Sequence, residues 1–232
     1  MKQHLLLLFL LAATTVFAQT KKFSAGISVM PLWSDFIISS DGTTPDVILQ
    51  VTKETTKGRL GFNALAMGEY PIKKRLSLRI GLGYSQTGYG PKKIDDIRWS
   101  QPAPSEPTAI KINHINSDVI IPVVLKLHFK RKPNWYGLIG GSSIIMIARA
   151  TKTTKWFSDG RVETSKMDVS GTENYRKINS SGIIGGGYEY HLTPKADLFL
   201  EPTFTCNIGT LVKDVPFAYR TFTAGLNTGI RF

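Results

Sequence analysis

The sequence predicts an all-β fold, on three observations: period-two alternation of apolar and polar residues, scarce helical periodicity, and a regular order of loop lengths. The alternation occurs in eight segments, at about 22–32, 59–70, 75–88, 117–129, 135–149, 178–192, 196–208 and 219–232. The links between them alternate between long and tight, and the tight ones are 71–74, 130–134 and 193–195. The long links therefore gather at one end of the predicted meander.

Segment length and the lipid environment together predict that this meander closes into a barrel. Strands of a soluble sandwich average about 5–6 residues, whereas these segments reach the ~9–11 residues that cross a tilted bilayer. Lipid cannot satisfy backbone groups, so spanning strands must pair on both sides and close. Tight turns at one rim and long loops at the other are typical of outer-membrane barrels. We therefore expect an eight-stranded antiparallel up-and-down transmembrane β-barrel.

In the first four segments, alternate apolar residues predict the lipid-facing positions. These are Ile27 and Val29, then Leu60 and Phe62, then Leu76, Leu78, Ile80, Leu82 and Tyr84, then Val119, Ile121, Val123, Leu125, Leu127 and Phe129. The residues between them are small or polar and are predicted to point inward. Pro122 lacks an N–H, so we expect a bulge or a wet bend there.

In the last four segments the same pattern holds except in 135–149, which is apolar on both faces and leaves its facing open. Elsewhere the predicted outward residues are Ile184, Tyr188, Tyr190 and Leu192, then Leu198, Leu200, Phe204, Cys206 and Ile208, then Phe222, Ala224, Leu226, Ile230 and Phe232. Aromatic residues near the turn side predict an interfacial girdle of Tyr70, Phe129, Tyr136, Tyr188, Tyr190 and Phe232. An even strand number returns both termini to the turn side, predicted to be periplasmic.

The chain begins with Lys2, an apolar run from Leu5 to Leu11 and a small-residue finish at Ala18. This pattern predicts a signal peptide at 1–18, leaving a single barrel domain at 19–232. The formal net charge is +12 at pH 7. Because the basic residues are scattered and the protein is predicted to be exported, we expect contact with outer-membrane lipid and lipopolysaccharide, and no nucleic acid.

The predicted inward positions include charges of both signs. Isolated charges in a narrow barrel are costly, so we expect them to form a paired lumen network with no wide pore. Its predicted members are Glu69, Arg79, Asp118, Lys126, Glu189, Asp197, Glu201 and Arg231. A gated ion path or a polar ligand site is the alternative interpretation of the same residues.

No catalytic, metal or cofactor site is predicted. His114, His128 and His191 lack metal-ligand spacing, and no nucleophile motif accompanies them. In the long loops, Asp159-Gly160 predicts a hairpin above the membrane. Binding of a surface ligand or protein partner is assigned to Trp99, Trp156 and Phe157, with neighbouring basic residues. Solvated loops without a ligand are the alternative.

Two stretches resemble the PorT-like outer-membrane β-barrel family of the Bacteroidetes. SDVIIPVVLKLHF carries its Ile-Pro, aliphatic and Lys pattern at Ile121, Pro122, Leu125 and Lys126. GLGYSQTGYGPK carries its aromatic-Ser-Gln-x-Gly pattern at Tyr84, Ser85, Gln86 and Gly88. The resemblance implies an eight-stranded outer-membrane barrel but no single activity. The terminal Phe232 also resembles the signal that the barrel-assembly machinery recognises.

The leading functional hypothesis is a non-enzymatic barrel with a side-chain-filled lumen, serving envelope structure, surface interaction or secretion support. Three alternatives remain open at this stage: a small-solute channel, a lipid-modifying enzyme, and a soluble lipocalin-like binder.

Overall fold

The computed structural model describes residues 23–40, 56–91, 94–95, 107–130, 134–170, 176–211 and 217–232, and the predicted signal peptide and Trp99 lie outside them. The described residues form ten strands. These are β1 (Ser24–Ser40), β2 (Thr56–Lys73), β3 (Leu76–Pro91), β4 (Ile94–Asp95), β5 (Pro107–His128), β6 (Trp135–Phe157), β7 (Val162–Asp168), β8 (Ile178–Thr193), β9 (Ala196–Asn207) and β10 (Phe217–Arg231). Among the described residues, no helix is long and apolar enough to cross a membrane.

Eight of these strands close into a ring in the order β1-β2-β3-β5-β6-β8-β9-β10, with β10 paired antiparallel to β1. Each matches one of the eight predicted segments, so the predicted antiparallel meander is confirmed. Phe232 continues the seam, because its N–H donates to the Ala25 carbonyl at 2.7 Å and its carbonyl accepts from Ala25 N at 3.2 Å. The chain therefore ends where the first strand begins.

The stagger of the ring follows from its register. The paired partners of Ser24 run through Glu69, Arg79, Val124, Gly140, Ile183, Thr205 and Thr223 and return to β1 at Ser34. The shear is thus 34 − 24 = 10 residues. Eight strands enclose an interior wide enough for side chains or one small ligand.

At the loop side, the strands extend further than the sequence predicts. β5 and β6 continue well past their predicted limits, and β7 pairs with the outer part of β6. The predicted hairpin at Asp159-Gly160 is confirmed, and Gly160 adopts φ 84°, the left-handed region that favours glycine. A two-stranded extension therefore rises beyond the ring.

The bulge predicted at Pro122 is wrong. The β5–β6 ladder keeps its register through the Pro122–Ser142 pair, and the β3–β5 ladder has the same register on both sides of Pro122. The irregularity lies instead between Ser117 and Asp118, which pair with Ala148 and Met146. The extra residue in β6 lets both Met146 and Arg149 face the lumen.

Most predicted lipid-facing positions are exposed on the outside of the ring, as Ile27, Leu60, Leu82 and Ile184 illustrate, whereas others such as Leu78 and Val119 are partly exposed. Tyr70, Phe129, Tyr188, Tyr190 and Phe232 are all exposed on the turn side, as the predicted girdle requires. Tyr136 is a correction, because it is 1% exposed and points into the lumen. Its neighbour Trp135 takes the outward position and contacts the Tyr188 ring, with centroids 5.2 Å apart.

Candidate functional site

The turn side of the lumen holds a compact ion cluster, centred on Glu69. Glu69 Oε1 accepts from Lys126 Nζ at 3.2 Å and from Arg231 Nη1 at 2.9 Å, and its Oε2 accepts from Arg79 Nη2 at 3.2 Å. Three basic side chains, from β3, β5 and β10, thus converge on one carboxylate of β2. The cluster joins distant parts of the ring through a single buried acid.

Further acidic residues complete the cluster. Lys126 Nζ also bonds Glu189, and Arg231 bonds Glu189 at 2.9 Å and Asp197 at 2.5 Å. Arg79 Nη1 donates to Glu201 Oε1 at 2.5 Å. Lys126 is 0% exposed, so neither solvent nor ions reach its ammonium group in this structure. We call Glu69, Arg79, Lys126, Glu189, Asp197, Glu201 and Arg231 the ion cluster.

Two neutral side chains bind the same cluster. The Tyr136 hydroxyl donates to Glu201 Oε1 at 2.7 Å, and the Asn227 amide nitrogen donates to Glu201 Oε2 at 2.7 Å. Lys126 Nζ also lies over the Tyr136 ring, 4.3 Å from its centroid. Sequence reasoning missed Tyr136, because the segment 135–149 is apolar on both faces and gives no signal for its direction. Asn227 was predicted to point inward but was not assigned to the network.

Asp118 is the one predicted network residue that the structure places elsewhere. It pairs with Ser85 in the β3–β5 ladder, whereas Lys126 pairs with Ser77. The two are eight residues apart on one strand, roughly 26 Å at ~3.3 Å per residue. Asp118 lines the loop-side lumen together with Arg149, a residue that sequence analysis did not assign to the lumen.

Above the ion cluster the lumen keeps a cavity of about 130 Å³. Arg79 and Glu201 line it at the turn side, and Arg149, Arg176 and Leu211 line it at the loop side. The prediction that side chains fill the interior therefore holds for the turn side alone. We call this cavity, between the ion cluster and the loops, the upper lumen.

The surface candidates separate in the structure. Trp156 lies on the β6–β7 hairpin and is partly exposed. Phe157 is buried, with the Arg161 guanidinium carbon 4.2 Å from its ring centroid, so it is not presented to a surface ligand as predicted. Trp99 lies outside the described residues.

The histidines occupy three separate positions. His114 lies near the loop side with Nδ1 3.3 Å from Thr151 Oγ1, His128 Nε2 is 3.9 Å from Glu189 Oε2, and His191 Nδ1 is 2.5 Å from Asp197 Oδ1. Among the residues that the structure describes, no group of three or more His, Cys, Asp or Glu side chains could hold a metal ion.

Comparison with known proteins agrees with this architecture. Residues 17–212 match the family described as outer membrane protein beta-barrel domain. The chain belongs to this family. Membership in the outer membrane protein beta-barrel domain family places the protein in the outer membrane. No curated protein matches the chain.

Several solved structures are similar to this outer membrane barrel. Neisserial surface protein A (NspA) is 15% identical, with a TM-score of 0.35, covering 90% of this chain and 95% of its own. Ail, the attachment invasion locus protein of Yersinia pestis, is 15% identical, with a TM-score of 0.37 and coverages of 91% and 99%. The outer membrane protease OmpT from Escherichia coli is 8% identical, with a TM-score of 0.40 and coverages of 92% and 97%. Likeness of this size carries no information about activity.

Proposed function

We propose that this protein is a non-conducting, non-enzymatic outer-membrane barrel that binds ligands at the cell surface. The observation that carries the proposal is the ion cluster, whose fully buried Lys126 bonds both Glu69 and Glu189 across the turn-side lumen. A solute path would have to break these buried pairs, and breaking one is costly. The cluster therefore favours a closed barrel over the small-solute channel.

Conductance measurement tests the closed lumen. Purified mature barrel in planar lipid bilayers should stay silent under applied voltage, because the ion cluster leaves no hydrated route. A variant with Arg79→Ala and Glu201→Ala removes both members of one buried pair, together with the Arg79–Glu69 pair and the acceptor of Tyr136 and Asn227. It serves as the comparison for a loosened lumen. Reproducible single-barrel conductance steps from the unsubstituted protein would contradict the proposal.

The surface that we propose to bind ligands lies on the extension formed by β5, β6 and β7. Register pairs Asn113 with Lys152 and Lys152 with Lys166, and it pairs Lys111 with Thr154. Cross-strand partners share one face of a sheet, and residues two apart on a strand do as well. Lys111, Lys152, Lys166 and Trp156 therefore share a face, which we call the lysine face.

The direction of the lysine face follows from Arg149. Arg149 is buried and lines the upper lumen. Lys152 lies three residues further along β6, on the opposite side of the strand, so it points away from the barrel axis. The lysine face thus looks outward, above the apolar band, where Trp156 and lysines meet head groups.

We propose that the lysine face binds phosphate groups of lipopolysaccharide in the outer leaflet. Each lysine near an anionic membrane surface contributes about 1 kcal/mol, and the attraction weakens with salt. Changing Lys111, Lys152 and Lys166 to Gln should weaken binding of lipopolysaccharide to the detergent-solubilised barrel at least tenfold at low ionic strength.

A matched control changes Lys73, Lys130 and Lys195 to Gln, which removes the same charge from the turn side. This control should bind lipopolysaccharide as tightly as the unsubstituted barrel. Equal weakening in both variants would show that net charge alone governs binding, and it would contradict a dedicated face.

We further propose that both termini are periplasmic and that Phe232 is read by the barrel-assembly machinery. The seam bonds to Ala25 and the outward exposed ring support this proposal. Deleting Phe232 should lower the amount of heat-modifiable, folded barrel in the outer membrane several-fold. Phe129→Ala removes another exposed turn-side aromatic and should leave that amount nearly unchanged. Normal assembly without Phe232 would remove its proposed role.

The proposal extends to membership of the PorT-like group, on the patterns around Tyr84 and Pro122. Under this proposal, the surface contacts serve either secretion support or envelope structure. A deletion strain that secretes its proteins normally but loses envelope integrity would separate the two roles in favour of envelope structure.

A further inference from the structure

The upper lumen has two chemically different walls. At mid-height the wall from β5 and β6 is mainly apolar, with Ile120, Val124, Leu138, Ile144 and Met146. Ser142 interrupts it, and Asn116, Asp118 and Arg149 of the same strands line the loop-side end. β9 and β10 supply a wall of hydroxyl and amide side chains: Thr203, Thr205, Asn207, Thr221, Thr223 and Asn227. In the ring order, β10 lies four strands from β5, whereas β9 lies three strands from β5 and two from β6. β10 therefore faces the apolar wall across the lumen, and β9 lies beside β10. A molecule between the walls would need one apolar and one polar side.

Four polar atoms in this lining have no hydrogen-bond partner among the residues that the structure describes. Asn63 Oδ1, Asn116 Oδ1, Ser181 Oγ and Asn227 Oδ1 are buried without a hydrogen bond, and each residue is at least nine-tenths buried. Buried polar atoms are normally satisfied, and leaving one unsatisfied is costly. A guest that offers hydrogen-bond donors would satisfy them.

Asn227 determines which kind of hydrogen-bonding group the guest must present. Its amide nitrogen donates to Glu201 Oε2 at 2.7 Å, and an ionised carboxylate only accepts. The amide can therefore not be reversed, and Oδ1 remains an acceptor. The guest must present a donor there.

The floor of the cavity needs no charged guest, because Arg79 and Glu201 pair with each other at 2.5 Å. Its volume of about 130 Å³ sets the size of the guest. An engineered apolar cavity of ~150 Å³ admits benzene. A guest with one six-membered ring, or a short chain, therefore matches the size of the cavity.

We propose that the upper lumen binds a small neutral amphiphile: a ring or short chain with an apolar face against β5 and β6, and hydroxyl or amide N–H donors toward β9, β10 and Asn63 of β2. This site goes beyond the proposed surface function, since its residues lie inside the ring and the lysine face lies outside. Either proposal can fail without the other.

Methionine methyl groups provide the test. Met30, Met67 and Met146 line the upper lumen, whereas Met167 is exposed on β7. The mature barrel, labelled with ¹³C at methionine methyls in lipid nanodiscs, is titrated with cis-1,2-cyclohexanediol, which has adjacent hydroxyls on an apolar ring. We expect saturable shifts at millimolar concentrations for the three lumen methyls and none for Met167.

Two further probes sharpen the chemistry. Cyclohexanone keeps the ring but has no donor, and sites built to hydrogen-bond a hydroxyl reject analogues that lack it. It should bind at least tenfold more weakly than the diol. Glucose carries hydroxyls on every side and should also bind more weakly, because the apolar wall cannot satisfy them. Equal binding of either probe would overturn the proposed two-sided recognition, and absence of any lumen shift would show that water alone fills the cavity.

Variants locate the site independently. Ser142→Phe places a ring in the upper lumen and should abolish the shifts, and Asn63→Leu should weaken diol binding at least five-fold by removing an acceptor. Asn113→Leu, on the outer face of β5, is the matched control and should bind normally. Heat-modifiable migration on gels confirms that each variant is folded. Unchanged binding in folded Ser142→Phe would overturn the assignment.

Discussion

Turn-side and loop-side halves of the lumen are both lined with buried polar groups, but they satisfy them differently. On the turn side, Glu69 meets three basic side chains, and Glu201 is bonded by Arg79, Tyr136 and Asn227. On the loop side, amide and hydroxyl oxygens such as Asn116 Oδ1 and Ser181 Oγ lack partners within the described part of the chain. The turn-side half is closed by its own ion pairs and hydrogen bonds, whereas the loop-side half leaves hydrogen-bonding groups unused. A single barrel thus combines a rigid closure with a space able to accept a guest.

The strongest test of this contrast removes the central base of the ion cluster. Lys126→Met keeps an unbranched side chain but leaves Glu69 and Glu189 with fewer positive partners. Breaking a buried ion pair from one side costs about 3–5 kcal/mol, so the free energy of unfolding should fall by that amount. Denaturant titration of the barrel in lipid vesicles measures it.

Lys152→Met is the control, because Lys152 is exposed on the outward lysine face and exposed substitutions change stability by less than ~0.5 kcal/mol. If Lys126→Met costs no more than this control, the ion cluster does not stabilise the turn side.

A smaller loss is expected at Tyr136. Tyr136→Phe removes the hydroxyl that donates to Glu201 but keeps the ring beside Lys126. Hydrogen bonds to charged groups contribute about 1.5–3 kcal/mol, and the same vesicle titration should show a loss in this range. Tyr190→Phe makes the same chemical change on the exposed girdle and should be nearly neutral. Similar losses at both positions would mean that the buried hydroxyl has no special value.

Much of the turn side could be predicted because the alternation of apolar and polar residues shows which side chains point inward. A strand that crosses lipid must place apolar residues outward, so Glu69, Arg79, Lys126 and Glu201 were assigned inward from sequence alone. The alternation does not show, however, how far along the barrel axis each inward residue lies. Asp118 shares the inward face with Lys126, and only the ladder register shows that it belongs to the other half.

The loop-side half was less predictable for two physical reasons. The segment 135–149 is apolar on both faces, because β6 has lipid on one side and the apolar wall of the upper lumen on the other. Neither its loop-side residues nor Tyr136, at its turn-side start, therefore show from the sequence which way they point. The irregularity beside Asp118 then changes the phase of β6 and turns Arg149 inward. Neither the phase change nor the cavity has a signature in the sequence.

The finest test compares two serines that are equally buried and differently bonded. Ser34 Oγ donates to the Gly88 carbonyl at 2.6 Å and accepts from Gly88 N at 3.0 Å, whereas Ser181 Oγ has no partner among the described residues. Ser34→Ala should cost about 1–3 kcal/mol, because it leaves backbone groups of Gly88 unpaired. Ser181→Ala removes an unsatisfied hydroxyl without adding volume, so stability should stay constant or rise by up to about 1 kcal/mol. Both values come from the same denaturant titration, and each variant controls for burial in the other. A clear loss at Ser181 would mean that its hydroxyl is already satisfied, by water held in the upper lumen, and the unused bonding capacity that separates the two halves would disappear.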